Sequence, residues 1–159
     1  MMTNQDFPRS QWLRLWTALP AEPLRSLAES LSSRYEIDDL ELPQSGLGLL
    51  PLNDGALGDA YYLGEIPLAR AHVRITDAQG KAVEGAAILM DDRASMARAL
   101  AILDGALAAE LPGSEAAYEL LCAGAKKTQE IGVDRKKLLA ATRVDFSLLG
   151  TTKEEDDDA

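Results

Sequence analysis

The sequence predicts an α+β domain: an antiparallel β-meander of about four to five strands, with N-terminal helices and C-terminal helices packed on the sheet. Two changes of hydrophobic period carry this reading. Apolar residues recur at helical spacing up to about residue 33, alternate singly from Tyr35 to Met90, and return to helical spacing after Asp91. The alternating region is also cut by turn-forming groups at short intervals, as consecutive antiparallel strands require.

Each element follows from its own residues. Trp12, Leu15, Trp16 and Leu19 line one face of a first helix, with Ser10 as its expected N-cap and Pro20 as its stop. Leu24, Leu27, Ala28 and Leu31 give a second helix, with Pro23 in its first turn. Together they are expected to form a helical hairpin. Extended segments are then predicted around Tyr35–Leu42, Leu47–Leu52, Asp59–Glu65, Ala69–Thr76 and Lys81–Met90. Their separators are Pro43-Gln44-Ser45-Gly46, Asn53-Asp54-Gly55, Gly64-Glu65-Ile66-Pro67 and Asp77-Ala78-Gln79-Gly80.

Alternation fixes the faces of the last two segments. Ala71, Val73 and Ile75 share one side, and Arg70, His72, Arg74 and Thr76 the other. Val83, Gly85, Ala87 and Leu89 form the matching small and apolar set, which places Glu84 beside His72 and Arg74. Asp91 and Asp92 are then expected to open a long helix to about Glu110, burying Met96, Leu100, Leu103 and Leu107. Ser114 is expected to cap a further helix through Leu120, Leu121 and Cys122, with Gly124 as its weak point. A last helix is expected from near Asp134, turning Leu138, Leu139 and Val144 inward.

The chain of 159 residues suits one domain, residues 1–150, followed by an acidic tail, residues 151–159, that is expected to stay solvated. The net charge is −10, much of it from Glu154, Glu155, Asp156, Asp157 and Asp158. An acidic body disfavours nucleic acid and anionic lipid, so neither is expected as a partner. No apolar stretch approaches the roughly 20 residues of a membrane span. The start lacks the pattern of a signal peptide, and the lone Cys122 makes no internal disulfide, so a cytoplasmic location is expected.

Few residue types suited to catalysis are present. One histidine and one cysteine, fifty positions apart, do not make a metal site of nitrogen and sulfur ligands. The glycines of GLGLLPLNDGALG lack the lysine and hydroxyl of a phosphate-binding loop. The row Arg70, His72, Arg74 is the candidate anion-binding feature, since alternate strand residues repeat at about 6.8 Å and present a ladder of cationic donors. The competing reading is an ion-paired or solvated sheet face. Trp12 and Trp16, four apart, suit core packing first and an interface second.

Several motifs carry a resemblance to a known family. Arg9-Ser-Gln-Trp12, Gly64-Glu65, the strand Arg70-Ala71-His72-Val73-Arg74, the helix end Ala101-Ile102-Leu103-Asp104 and the block Ala141-Thr142-Arg143-Val144-Asp145-Phe146 resemble PhnG, a small subunit of the bacterial carbon–phosphorus lyase core complex. The last block is the most specific. This chain departs from the family pattern at Asp91-Asp92-Arg93, where Gly-Arg-Asp is usual, and again after Phe146.

The resemblance implies a role in phosphonate catabolism beside PhnH, PhnI and PhnJ. It further implies support for forming ribose 1-methylphosphonate 5-triphosphate from ATP and methylphosphonate. By the same resemblance PhnI carries the transfer, and an iron–sulfur cluster and S-adenosylmethionine belong to a partner, with no cofactor held by this chain. The isolated chain is then expected to be inactive and free to self-associate. Arg9, Trp12, Arg143, Asp145 and Phe146 are the candidate interface residues, and a direct contribution of the Arg70/His72/Arg74 face to the transfer is the alternative.

Overall fold

Two prolines set the start of the chain, because each fixes an extended turn from which a helix can begin. Pro8 precedes α1, Arg9–Trp16, and Pro20 precedes α2, Ala21–Ser32. Ser10 lies inside α1, and no side chain caps that helix. The computed structural model describes residues 7–142 of the chain. Beyond α2 come β1, Glu36–Asn53; β2, Ala60–Thr76; β3, Ala82–Leu89; α3, Ala94–Ala108; and α4, Glu115–Ala141.

The sheet is an antiparallel meander in the order β1-β2-β3. It has three strands where four to five were expected, because two of the anticipated breaks are absorbed as bulges. Pairing advances from Glu41↔His72 to Gln44↔Arg70 and from Leu49↔Glu65 to Pro51↔Tyr62, each with one unmatched residue. Pro43 and Pro51 are tolerated because β1 is an edge strand. Pro67 is tolerated because β3 pairs with β2 only from Ala69 onward. The remaining two turn signals hold. Asp54 accepts backbone N–H bonds from Ala56 and Leu57, and Asp77 accepts them from Gln79 and Lys81.

β3 pairs with β2 in the register that alternation allowed, with Arg74 opposite Glu84 and His72 opposite Ala86. Ala69, Ala71, Val73, Ile75, Ala87 and Leu89 therefore face inward together, and all are buried. α3 lies across them. Met96, Leu100, Leu103 and Leu107 are buried as expected, but so are Ala97, Ala101, Ile102, Asp104 and Ala106, since α3 is enclosed by the sheet, α1, α2 and α4. Full burial of Leu100, Ile102 and Leu103 stabilises by about 1.5–3 kcal/mol each. α1 packs on α4 and α3 while α2 packs chiefly on α3, so α3 is touched by both N-terminal helices.

The approach of α3 to the sheet depends on two glycines. A Cβ on Gly85 would sit 2.0 Å from the Ala101 carbonyl oxygen and 2.5 Å from the Gly105 nitrogen. The C-terminal region is one helix and not two, for a related reason. Gly124 does not interrupt α4; its bare backbone lets α4 approach α1, where a Cβ would stand 2.2 Å from the Leu15 carbonyl oxygen. Leu138 and Leu139, expected inward, are exposed, because α4 runs past the body it packs on. Asp91 and Asp92 precede α3 rather than opening it, and Ser114 precedes α4 without a side-chain capping bond. Val144 lies outside the described residues.

Gly85→Ala should lose about 1–3 kcal/mol in urea unfolding, from overpacking against backbone that has no free end to move. Gly46→Ala, where a Cβ meets nothing within 4 Å, should stay within about 0.5 kcal/mol of the parent. Equal losses at the two positions would contradict this packing.

Candidate functional site

Asp104 lies on the α3 turn that touches β3, and its carboxylate is buried. It accepts a bond from the Ala86 backbone N–H at 3.1 Å and two from the Arg9 guanidinium, Nε to Oδ1 at 2.9 Å and a terminal nitrogen to Oδ2 at 2.6 Å. Those hydrogen bonds raise the Arg9 pKa further above its usual value, against the opposing effect of partial burial. One carboxylate thus joins α1, β3 and α3. Arg9, expected at an interface, is committed to this pair, although half its side chain remains exposed. Trp12 is only 3% exposed and donates its indole N–H to the Phe7 carbonyl, while Trp16 donates to the Ala117 carbonyl. Both indoles belong to the chain's own core.

The face of the sheet opposite α3 carries Arg70, His72 and Arg74 in a row, as alternation required. Their charge is largely matched. Glu84 Oε2 lies 3.1 Å from His72 Nε2 and Glu84 Oε1 accepts from Arg74 at 3.4 Å, while Arg70 stands 3.7 Å from Glu41. Two arginines therefore face two carboxylates. An incoming anion would have to displace Glu84 and Glu41, and such exposed pairs contribute only about 0–1 kcal/mol each.

The departure at Asp91-Asp92-Arg93 forms a clamped turn beside a cleft of about 760 Å³ whose lining includes Leu13, Arg14, Met90, Arg93 and Met96. Asp91 accepts the Arg93 backbone N–H at 2.8 Å and pairs with its guanidinium. Hydrogen bonding from the Arg93 side chain first, and from its backbone second, lowers the Asp91 pKa from 3.8 to about 2. Arg93 is correspondingly occupied, and Arg14, which makes no ion pair among the described residues, lines the same cleft.

The features that alternation and helical spacing did not reveal are two uncovered surfaces. Beyond Ala69, β1 and β2 continue as a two-stranded arm, residues 46–68, in which no residue is buried. Leu47, Leu49, Leu57, Tyr61, Tyr62 and Leu63 are all exposed on it. The second surface is the distal half of α4, where Ile131, Val133, Leu138 and Leu139 stand in solvent. A signal existed in the sequence: Leu47-Gly48-Leu49-Leu50-Pro51-Leu52 is apolar on both parities, as a strand meant to be covered on both faces would be. Arg143, Asp145 and Phe146 lie outside the described residues.

Among the described residues no group of three or more His, Cys, Asp or Glu is placed to hold a metal ion, and no helix is long and apolar enough to cross a membrane. Cys122 is a free, half-buried thiol on α4. A tied α+β body, a self-neutralised sheet face and two bare apolar surfaces define a small protein arranged for contact with other macromolecules. The family model described as "Phosphonate metabolism protein PhnG" matches residues 7–150, and the chain belongs to the PhnG family. It is a protein of phosphonate metabolism. A comparison with curated proteins gave no match.

Asp104→Ala should cost about 2–3 kcal/mol in chemical unfolding, since it strands the Ala86 N–H and the Arg9 charge at once. Asp104→Asn keeps an acceptor for Ala86 and should lose less; a loss below about 0.5 kcal/mol for the alanine variant would contradict the anchoring role. For Asp91, whose folded pKa is depressed, the stabilising contribution is present in full above its ordinary value and is lost as pH falls from about 4 towards about 2. Asp91→Asn should therefore flatten the acid limb of a melting-temperature profile in that window. An unchanged acid limb would contradict the clamp.

Proposed function

We propose that this chain is a non-catalytic assembly subunit of the carbon–phosphorus lyase core complex. It supports formation of ribose 1-methylphosphonate 5-triphosphate from ATP and methylphosphonate, with PhnI carrying the transfer and PhnH and PhnJ in the same assembly. The iron–sulfur and S-adenosylmethionine chemistry belongs to a partner. The observation that carries this reading is the pair of uncovered apolar surfaces, the arm and the distal half of α4, on a family member whose sheet-face cations are matched by its own carboxylates. Apolar and aromatic groups standing clear of a stable core are the materials of an interface. In this reading the block Arg143, Asp145, Phe146 docks the C-terminal segment within the same assembly.

Coexpression with PhnH, PhnI and PhnJ tests the proposal. The parent chain should copurify with PhnI, and Leu47→Asp with Leu49→Asp should lose copurification while the isolated chain keeps its parental circular-dichroism spectrum. A fully active PhnI assembly formed without this chain would overturn the reading. The alternative, triphosphate bound by Arg70, His72 and Arg74, requires ATP to stabilise the isolated chain, by about 2.7 kcal/mol at a hundred times the dissociation constant. No thermal shift at millimolar ATP is the expected result.

A further inference from the structure

The uncovered surfaces differ in charge as well as in position. From Glu36 to Ala69 the chain has no lysine or arginine, and the arm itself carries Asp54, Asp59 and Glu65. From Lys126 onward α4 carries Lys126, Lys127, Arg135, Lys136 and Lys137 against Glu130 and Asp134. Lys127 pairs with Glu130 and Lys137 with Asp134, which leaves Lys126, Arg135 and Lys136 without a carboxylate partner among the described residues. On the arm, the side chains of Asp59 and Glu65 likewise make no ion pair among the described residues.

The architecture adds direction to this complementarity. Strand alternation carries the inward face of Ala71 and Ala69 on to Pro67 and Glu65, and pairing places Leu47 opposite Pro67 and Leu49 opposite Glu65. The arm therefore extends the same sheet face that α3 covers in the body, but among the described residues no helix covers it there. A helix laid on that face would continue the existing layer. The exposed part of α4 after Thr128 is about 20 Å long at 1.5 Å per residue. The arm strand from Gly46 to Asn53 is about 26 Å long at 3.3 Å per residue, so the helical segment fits within the length of the arm.

We infer that the occupant is a second copy of this chain: the distal half of α4 of each copy lies on the arm of the other, in a two-fold dimer with two reciprocal arm–helix contacts. Leu47, Leu49 and Tyr62 meet Ile131 and Leu138, and the free Arg135 and Lys136 meet the acids of the arm. Reciprocity doubles the buried area, which brings two narrow surfaces towards the roughly 800 Å² per partner of a stable interface. This concerns the same surfaces as the proposed role: in the isolated chain a second copy covers them, and on assembly a partner subunit takes that copy's place.

Light scattering on the full chain alone tests it. The parent should run at twice the 17.1 kDa chain mass at micromolar concentration. Asp59→Lys with Glu65→Lys should give a monomer, as should Arg135→Glu with Lys136→Glu, both keeping the parental circular-dichroism spectrum while melting somewhat lower, as loss of a native-state partner requires. Mixing the two monomeric variants should restore a dimer, because every arm–helix contact then joins opposite charges. A monomeric parent, or a dimer unaffected by either charge reversal, would overturn the inference. So would a dimer that forms only after deletion of residues 151–159, because the acidic tail would then be the natural occupant of α4. Failure of all these outcomes would leave copurification with PhnI untouched, so the two readings fail separately.

Discussion

The contact between α3 and β3 is the constraint on which the rest of the structure depends. Gly85 and Gly105 bring two backbones together where any Cβ would collide, and that proximity allows the Asp104 carboxylate to reach the Ala86 N–H. A buried carboxylate is costly unless paired and hydrogen-bonded. Arg9 supplies the pair, and in doing so fixes the start of α1 against the same point. Close approach, satisfied charge and helix placement are therefore one arrangement, and each part requires the other two.

From that point outward the coupling falls away. α3 is enclosed, β3 and the inner half of β2 are held against it, and α1 and α2 close the far side through Trp12, Trp16, Leu24 and Leu31. The arm and the end of α4 receive none of this. Their residues are exposed or half-buried, and their stability rests on strand pairing and helical hydrogen bonds alone, which are marginal for short isolated elements. Leucines and tyrosines exposed on such elements are materials of an interface, as the proposed assembly role requires.

Much of the body was legible in the sequence because it obeys one period at a time. Ala71, Val73 and Ile75 against Arg70, His72 and Arg74 gave the sheet faces, and Glu84 fell beside His72 and Arg74 as the alternation required. The strand count was not legible, because a bulge is a tertiary outcome: Pro43-Gln44-Ser45-Gly46 has the composition of a turn, and only pairing with β2 keeps it extended. Gly124 misled in the same way, since a glycine kept for close helix contact and one that ends a helix look alike in sequence. Arg9 and Asp104 each stood in a recognisable motif, yet they lie 95 positions apart and nothing local announces their pairing. The helical period likewise cannot say whether a leucine stripe meets a core, and at Leu138 and Leu139 it does not.

A packed body with two bare extensions is suited to joining other chains, as the proposed subunit role requires. Amide hydrogen exchange, on the isolated chain at high dilution and again within the copurified assembly, tests this division most directly. The account predicts that the Ala86 amide exchanges only through global unfolding in both states, while residues 46–68 and the distal half of α4 exchange fast alone and become protected on assembly. An Ala86 amide as labile as the arm, or protection gained on assembly only at Arg70, His72 and Arg74, would contradict it.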